Sequence, residues 1–279
     1  MKTVVKVLAA ISFLFSVHAS AGAFDQADAL FAQRENNLAK IADARAAYKA
    51  VLGKSVGSDA VYAVQQLGKL SYYEGELLTS LERNPARRTE IFADCRRVVE
   101  KIATERAAVS EYHFWKLLCT AFWVQSAPLL SRLGEIGSIK RYFDSVVGDD
   151  LEPRPELGMD ARYMYAGMNR VLAGIYREDL SSMVRSGLPN SSKALELADR
   201  ALATEAGPGQ EVGGDMYYSN HRGRGEVLIQ DGRADEAKAF LTQVVEDATA
   251  LLEANQIPAD IIPETKAEIA RMRALASRI

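Results

Sequence analysis

The sequence predicts an all-helical protein assembled from repeated helix pairs, and three observations carry that prediction. Apolar residues recur with a helical period along nearly the whole chain, with few β-branched alternating runs. Most glycines and prolines fall between the periodic stretches. Small-residue positions also recur at near-constant steps: Gly68, Cys119, Gly174 and Gly225 follow one another at intervals of 51, 55 and 51 residues, the self-similarity expected of a repeat array.

At the N-terminus, Lys2 and Lys6 precede an apolar run, Val7 to Val17, that is too short for a stable membrane span. The pairs Ala19/Ala21 and Ala21/Ala23 both suit a small-residue cleavage site. Residues 1–23 are therefore expected to be a cleavable signal peptide, with the mature chain starting at Gly22 or Phe24 and residues 24–279 forming a single helical domain in the periplasm. No later segment reaches a spanning length.

A leading helix is expected near residues 25–50, and repeats near 60–98, 111–148, 160–205 and 215–250. The last copy, HRGRGEVLIQDGRADEAKAFLTQVV, is the clearest. Gly225 fills a small slot in a first helix, Gly232 makes the turn, and Ala237 fills the slot of a second helix, followed by Leu241 and Val244. This is the back half of a tetratricopeptide pattern, in which small residues let two antiparallel helices approach. Upstream the paired slots are Gly68/Arg88, Cys119/Ile139 and Gly174/Ala194. These lie 20 residues apart, against 12 in the last copy, so each earlier repeat carries eight additional residues. Arg88 and Ile139 stand where a small residue is expected, which makes those two copies degenerate. Asn84-Pro85, Gly134 to Gly137, and Gly187 to Asn190 are the expected corners, with Asn190 or Ser191 capping the following helix. Residues 148–158 and 205–214 read as loops between repeats, and 263–279 as a capping helix.

The chain has 34 basic and 37 acidic residues; without Lys2 and Lys6 the balance is 32 against 37. That excludes the basic stripe that nucleic acid calls for, and no polybasic run points to a membrane surface. Cys95 and Cys119 are the two cysteines. In an oxidising compartment they form either a disulfide or two small buried thiols in helix interfaces. His113 and His221 are the only histidines after the signal, 108 residues apart, and no H-E-x-x-H or G-x-S-x-G sequence occurs. The carboxylates Glu74 and Glu76, or Asp149, Asp150 and Glu152, read as solvated charge. Nothing in the sequence asks for a metal or a cofactor, and the chain is not expected to be an enzyme.

The first helices of stacked pairs usually line the concave, ligand-facing surface. Aligning the slots brings Tyr62, Gln65, Lys69, Tyr72 and Tyr73 inward from the first repeat, and His113, Lys116, Thr120 and Trp123 from the second. The third supplies Met168, Val171, Ile175 and Glu178, and the fourth Ser219, Arg222, Glu226 and Ile229. Tyr62, Lys69, Tyr72, Tyr73, His113, Lys116, Trp123, Met168 and Arg222 are the candidate ligand or partner contacts, apolar and aromatic surfaces with three cationic points among them. The aromatic stretch from Tyr112 to Trp123 and the methionine-tyrosine stretch from Met159 to Met168 suit either a core or an adaptable apolar cavity.

With these segments in view, the chain resembles the T-component family associated with tripartite ATP-independent periplasmic transporters. The resemblance spans roughly residues 60–275. It rests on YHFWKLLCTAFWV, on ARYMYAGMNRVLAGIY followed by GLPNSSKALELADRAL, and on IPADIIPETKAEIARMRAL. It implies four cryptic tetratricopeptide motifs, association with a periplasmic solute-binding protein, a trimer around a pore, and a hydrophobic ligand. The chain lacks the lipoprotein cysteine of that family. The function expected is non-enzymatic binding of an apolar or amphiphilic ligand, a solute-binding partner, or both. The alternative is a protein-protein scaffold in envelope assembly with no small-molecule ligand.

Overall fold

The computed structural model describes Gly22, residues 24–79, residues 84–178, Ser182 and residues 184–279. Apart from Gly22, the expected signal segment lies outside the described residues. Among these residues the chain is all-helical, with one isolated β-bridge between Val147 and Pro153 and no strand. None of the helices described is long and apolar enough to cross a membrane.

Helix α1 (24–32) and helix α2 (Leu38–Leu52) precede α3 (Gly57–Tyr72), which continues without a break into a π-helical turn, Tyr73–Leu78. Then come α4 (Pro85–Val99), α5 (Val109–Ser126), α6 (Leu129–Val146), α7 (Tyr163–Arg177), α8 (Ser191–Leu202), α9 (Tyr218–Gln230), α10 (Ala234–Glu253) and α11 (Ile262–Ala276). The leading segment is thus two helices. Asn36 takes a left-handed conformation at φ 50°, and the Asn37 side chain accepts from the Lys40 amide at 3.1 Å to start α2.

Two of the expected corners are helix starts. Asn84 accepts from the Arg87 amide at 3.0 Å ahead of Pro85, and Asn190 accepts from the Lys193 amide at 3.0 Å. The third is corrected: Gly134 and Gly137 lie inside α6, and the chain turns at Ala127-Pro128 instead. Pro128 pushes Ala127 into extended backbone, at φ −71° and ψ 149°, and so ends α5.

The helices form two layers. The inner helices α3, α5, α7 and α9 each touch the next; α9 touches α11, and α11 returns to the π-helical turn, closing the circuit. Helices α2, α4, α8 and α10 pack outside them. Arg34 clasps the closure by pairing with Glu264 at 2.6 Å and donating to the Asp260 carbonyl at 2.7 Å, beside a Lys266–Glu35 pair at 2.7 Å. Helix α6 departs from the pattern. It approaches α5 far less closely than α4 or α7 does, with Ile139, Tyr142 and Phe143 on the side facing the gap.

The small slots do three different jobs. A Cβ on Gly225 would lie 2.6 Å from Leu241, the close approach of a helix pair, whereas one on Gly68 would strike Trp115 of α5, not α4. The close contact of the first pair falls at Gly75, where a Cβ would meet the Phe92 ring at 2.8 Å. Gly174 has no atom within 4 Å of that position.

The first turn of α7 is left-handed at Met164, Tyr165 and Ala166, with φ of 50°, 57° and 60°. Each such residue costs roughly 1–2 kcal/mol. Neighbours hold the turn: Arg170 donates to the Met164 and Tyr165 carbonyls at 3.3 Å. The Asn220 amide donates to the Tyr165 carbonyl at 3.0 Å while its oxygen accepts from Arg170 at 2.8 Å.

A disulfide joins Cys95 of α4 to Cys119 of α5, with Cα atoms 5.9 Å apart. Closing a loop of 24 residues stabilises by about 3 kcal/mol in the chain-entropy account. A Cys95→Ala/Cys119→Ala variant is therefore expected to lose about that much in urea unfolding. Thiol labelling of the unreduced protein in denaturant is expected to find no free thiol.

Candidate functional site

A cavity of about 650 Å³ lies inside the helical circuit, bounded by the π-helical turn, α4, α5, α6, α7, α9 and α11. Its two walls differ in chemistry.

The polar wall begins with the π-helical turn, a geometry that recurs at functional positions in helices. It carries Glu76, only 9% exposed, into the interior. One carboxylate oxygen accepts from Arg88 at 2.5 Å; the other pairs with Arg271 at 2.9 Å and Arg222 at 3.3 Å. Arg222 in turn binds Glu268 at 2.7 Å and Glu226 at 2.5 Å, and Glu226 also receives Arg177. Tyr72 donates to Ser219 at 2.8 Å, and the Ser219 hydroxyl donates to Glu268. Burial pushes the Glu76 carboxyl up, but Arg271, Arg222 and Arg88 together outweigh it and hold the group below the ordinary carboxylate range. Glu226 is held below that range in the same way, its burial overcome by Arg177 and Arg222. Burial, reinforced by Glu268, pushes the Tyr72 hydroxyl up to about 12.

The apolar wall comes from α5, α6 and α7, with Leu117, Ala121, Phe122, Phe143, Val171 and Ile175 on the lining. Phe122 stacks on Phe92 at a centroid distance of 4.9 Å and lies 6.0 Å from the Tyr72 ring, where the two walls meet. Gly174 also lines the cavity, which explains the open space beside it.

Of the nine residues expected to face a ligand, Tyr72 and Arg222 reach this cavity. Tyr62 and Tyr73 instead serve the N-terminal helices. Tyr62 donates to Asp28 at 2.9 Å and is pushed up to about 12 by burial and that carboxylate, while Tyr73 is buried beside Arg34 and the Asn36 amide. Lys69 lines a separate hollow of about 50 Å³ with Phe31, Trp115, Tyr165 and Glu264, where burial lowers its pKa. His113 stacks on Tyr142, and Lys116 pairs with Glu100 at 2.9 Å and Tyr112 at 2.6 Å; neither His113 nor Lys116 is on the cavity lining. Trp123 is core, 5% exposed with the Arg96 guanidinium 4.4 Å over its ring, and Met168 is core as well.

On α7 and α9 Val171, Ile175, Glu178, Ser219, Arg222 and Glu226 line the cavity, while Met168 and Ile229, also expected inward, do not. On α5 the inward register is off by one residue, about 100° of helix rotation: Leu117, Ala121 and Val124 line the cavity where Lys116, Thr120 and Trp123 are expected to lead. Thr120 still reaches the lining. The first repeat contributes one turn later than expected, through Glu76, Leu77 and Leu78. Glu74 and Glu76 are not solvated: both are buried, with Glu74 held by Arg45 at 2.8 Å and Arg87 at 2.6 Å.

Comparison of the chain with protein-family models, curated proteins and solved structures finds no match. Among the described residues no group of three or more His, Cys, Asp or Glu side chains is placed to hold a metal ion.

Two outcomes follow from this geometry. Trp123→Ala is expected to cost about 3–5 kcal/mol in denaturant unfolding, as a large core deletion does, while leaving ligand uptake by the folded protein unchanged. Glu76 and Glu226 have folded-state pKa values below the ordinary 4.5. Their stabilisation is thus complete above that value and is lost as pH falls through the folded values. The melting temperature is expected to drop on acidification from pH 5 to pH 3, and less steeply in Glu226→Gln. Glu76→Gln, which leaves Arg88 and Arg271 without a carboxylate partner, is expected to cost about 3–5 kcal/mol at pH 7.

Proposed function

We propose that this chain is a non-enzymatic binding protein that holds an apolar or amphiphilic molecule in the cavity between the π-helical turn, α5, α7, α9 and α11. The observation that carries this reading is the cavity itself. At about 650 Å³ it falls in the range of sites that enclose a small organic ligand, and it joins an apolar wall to a few fixed polar groups, as such sites do. In this reading the helix pairs α3/α4, α5/α6, α7/α8 and α9/α10 form a degenerate tetratricopeptide-like array, with α1, α2 and α11 as caps. Ile139 takes the place of a small residue and keeps α6 off α5, so the space of a missing helix contact becomes binding volume.

The chain is exported to the periplasm by the segment at 1–23. Its resemblance to the T components of tripartite ATP-independent periplasmic transporters makes a periplasmic solute-binding protein the expected partner and a trimer the expected assembly. A second reading, a protein-protein scaffold, draws on one observation: Leu129, Leu130 and Leu133 at the start of α6 are 54%, 83% and 46% exposed, and clustered exposed leucines mark contact surfaces.

Gly174→Leu tests the binding reading. The side chain has room to project into the cavity, and replacing a glycine inside a helix stabilises by up to about 1 kcal/mol. The variant is expected to melt no lower than the parent while its uptake of the apolar fluorophore N-phenylnaphthylamine falls at least tenfold. Undiminished uptake would mean that the probe binds elsewhere, and no uptake by the parent would favour the scaffold.

A further inference from the structure

The charge on the cavity lining is unbalanced. Arg88, Arg170, Arg177, Arg222, Arg271 and Arg278 reach it, against the carboxylates Glu76, Glu178 and Glu226. Counting Glu268, bonded to Arg222 behind the wall, still leaves two positive charges in excess, one of them the solvent-exposed Arg278. Guanidinium in a water-poor interior calls for a counter-charge.

Two of the three lining carboxylates have no capacity to spare, while Glu178 pairs with Arg177 at 3.0 Å through one oxygen. Glu76 is shared by Arg88, Arg222 and Arg271, and Glu226 by Arg177 and Arg222. A cationic or donor-only head group would find the acceptors of Glu76 and Glu226 already occupied.

The donors are not all used. Arg88 is 3% exposed; its Nε donates to the Gly75 carbonyl at 3.0 Å and its Nη2 to Glu76 at 2.5 Å and Gln125 at 3.0 Å. Its Nη1 is buried with no hydrogen-bond partner among the described residues. Buried polar atoms are so regularly satisfied that an orphan donor on a residue lining the cavity calls for an acceptor. Arg278, exposed at the end of α11, reaches the same lining and makes no ion pair among the described residues.

We propose that the cavity takes a linear amphiphile ending in an anion, a carboxylate or a phosphate. The anion accepts hydrogen bonds from Arg88 and Arg271, with Arg278 at the mouth, and the chain lies along Phe122, Val171 and Ile175. Arginine suits both head groups because its planar fork matches either one through paired hydrogen bonds. This inference rests on the cavity reading above and adds the sign and position of the ligand's charge.

The test is a set of calorimetric titrations of the full chain, stripped of bound lipid. The probes are dodecanoate, dodecyl phosphate, dodecanol and dodecyltrimethylammonium, each below its micelle concentration, with decanoate, acetate and inorganic phosphate alongside. Dodecanoate, dodecyl phosphate or both are expected to bind at least tenfold tighter than dodecanol, with the ammonium compound weakest. Removing two methylenes is expected to loosen binding roughly tenfold. Arg271→Gln/Arg278→Gln, at half-exposed and exposed positions, is expected to abolish the preference for the anion and leave dodecanol affinity as it was.

Equal binding of dodecanol and both anions, or a preference for the ammonium, overturns this inference and leaves the cavity reading intact. Acetate or inorganic phosphate binding as tightly as the long-chain anions also overturns it, since the site would then hold an ion alone. Failure of every long-chain probe overturns both readings. The ratio of dodecanoate to dodecyl phosphate affinity identifies which head group the site prefers.

Discussion

The rest of the structure depends on one buried lattice of charge. Glu76 draws in three guanidiniums from three helices, and Arg222 passes the connection on to Glu226 and Glu268. Desolvating these groups is expensive, and their mutual attraction offsets the cost only when each carboxylate oxygen has its partners. That condition places the π-helical turn, α4, α9 and α11 relative to one another, because moving any one of them strands a charge. It also explains why the turn at Tyr73–Leu78 departs from α-helical spacing. Gly75 must admit the Phe92 ring while its neighbour Glu76 reaches inward.

Much of the fold was legible because helix boundaries are set by local chemistry. Asn84-Pro85 and Asn190 are caps wherever they occur in a helical sequence, and Gly232, at φ 77°, makes its turn without tertiary help. The corner expected at Gly134 to Gly137 was not legible, because two exposed glycines only weaken a helix, whereas Pro128 stops the helix before it. The left-handed turn at Met164 to Ala166 could not be read locally either. None of the three is glycine, and the groups that hold them come from Arg170 and from Asn220, 55 residues beyond Tyr165.

The candidate site was legible to the extent that helix phase was. On α7 and α9 the repeat alignment gives the inward faces directly. On α5 large apolar residues fill most positions between Phe114 and Val124, so a shift of one position still places hydrophobic side chains inward, and the alignment has nothing to correct it. Asp149 and Asp150 are exposed as charge usually is, whereas Glu74 and Glu76 are buried against that expectation. The contrary signal lay in Arg88, which occupies a slot between helices where bulk is excluded. An arginine there has to find a buried acid, and Glu76 is the one within reach of the preceding helix.

Stacks of helix pairs ordinarily lengthen or shorten by whole units, since each unit meets only its neighbours. Here Arg34 and Glu264 tie the leading segment to α11, and α11 returns to the π-helical turn. Inserting a fifth pair would carry α11 away from both, and deleting one would leave the circuit unable to close. The number of units is therefore fixed by geometry, and variation in size among descendants of this sequence is confined to the loops and to the exposed face of α6.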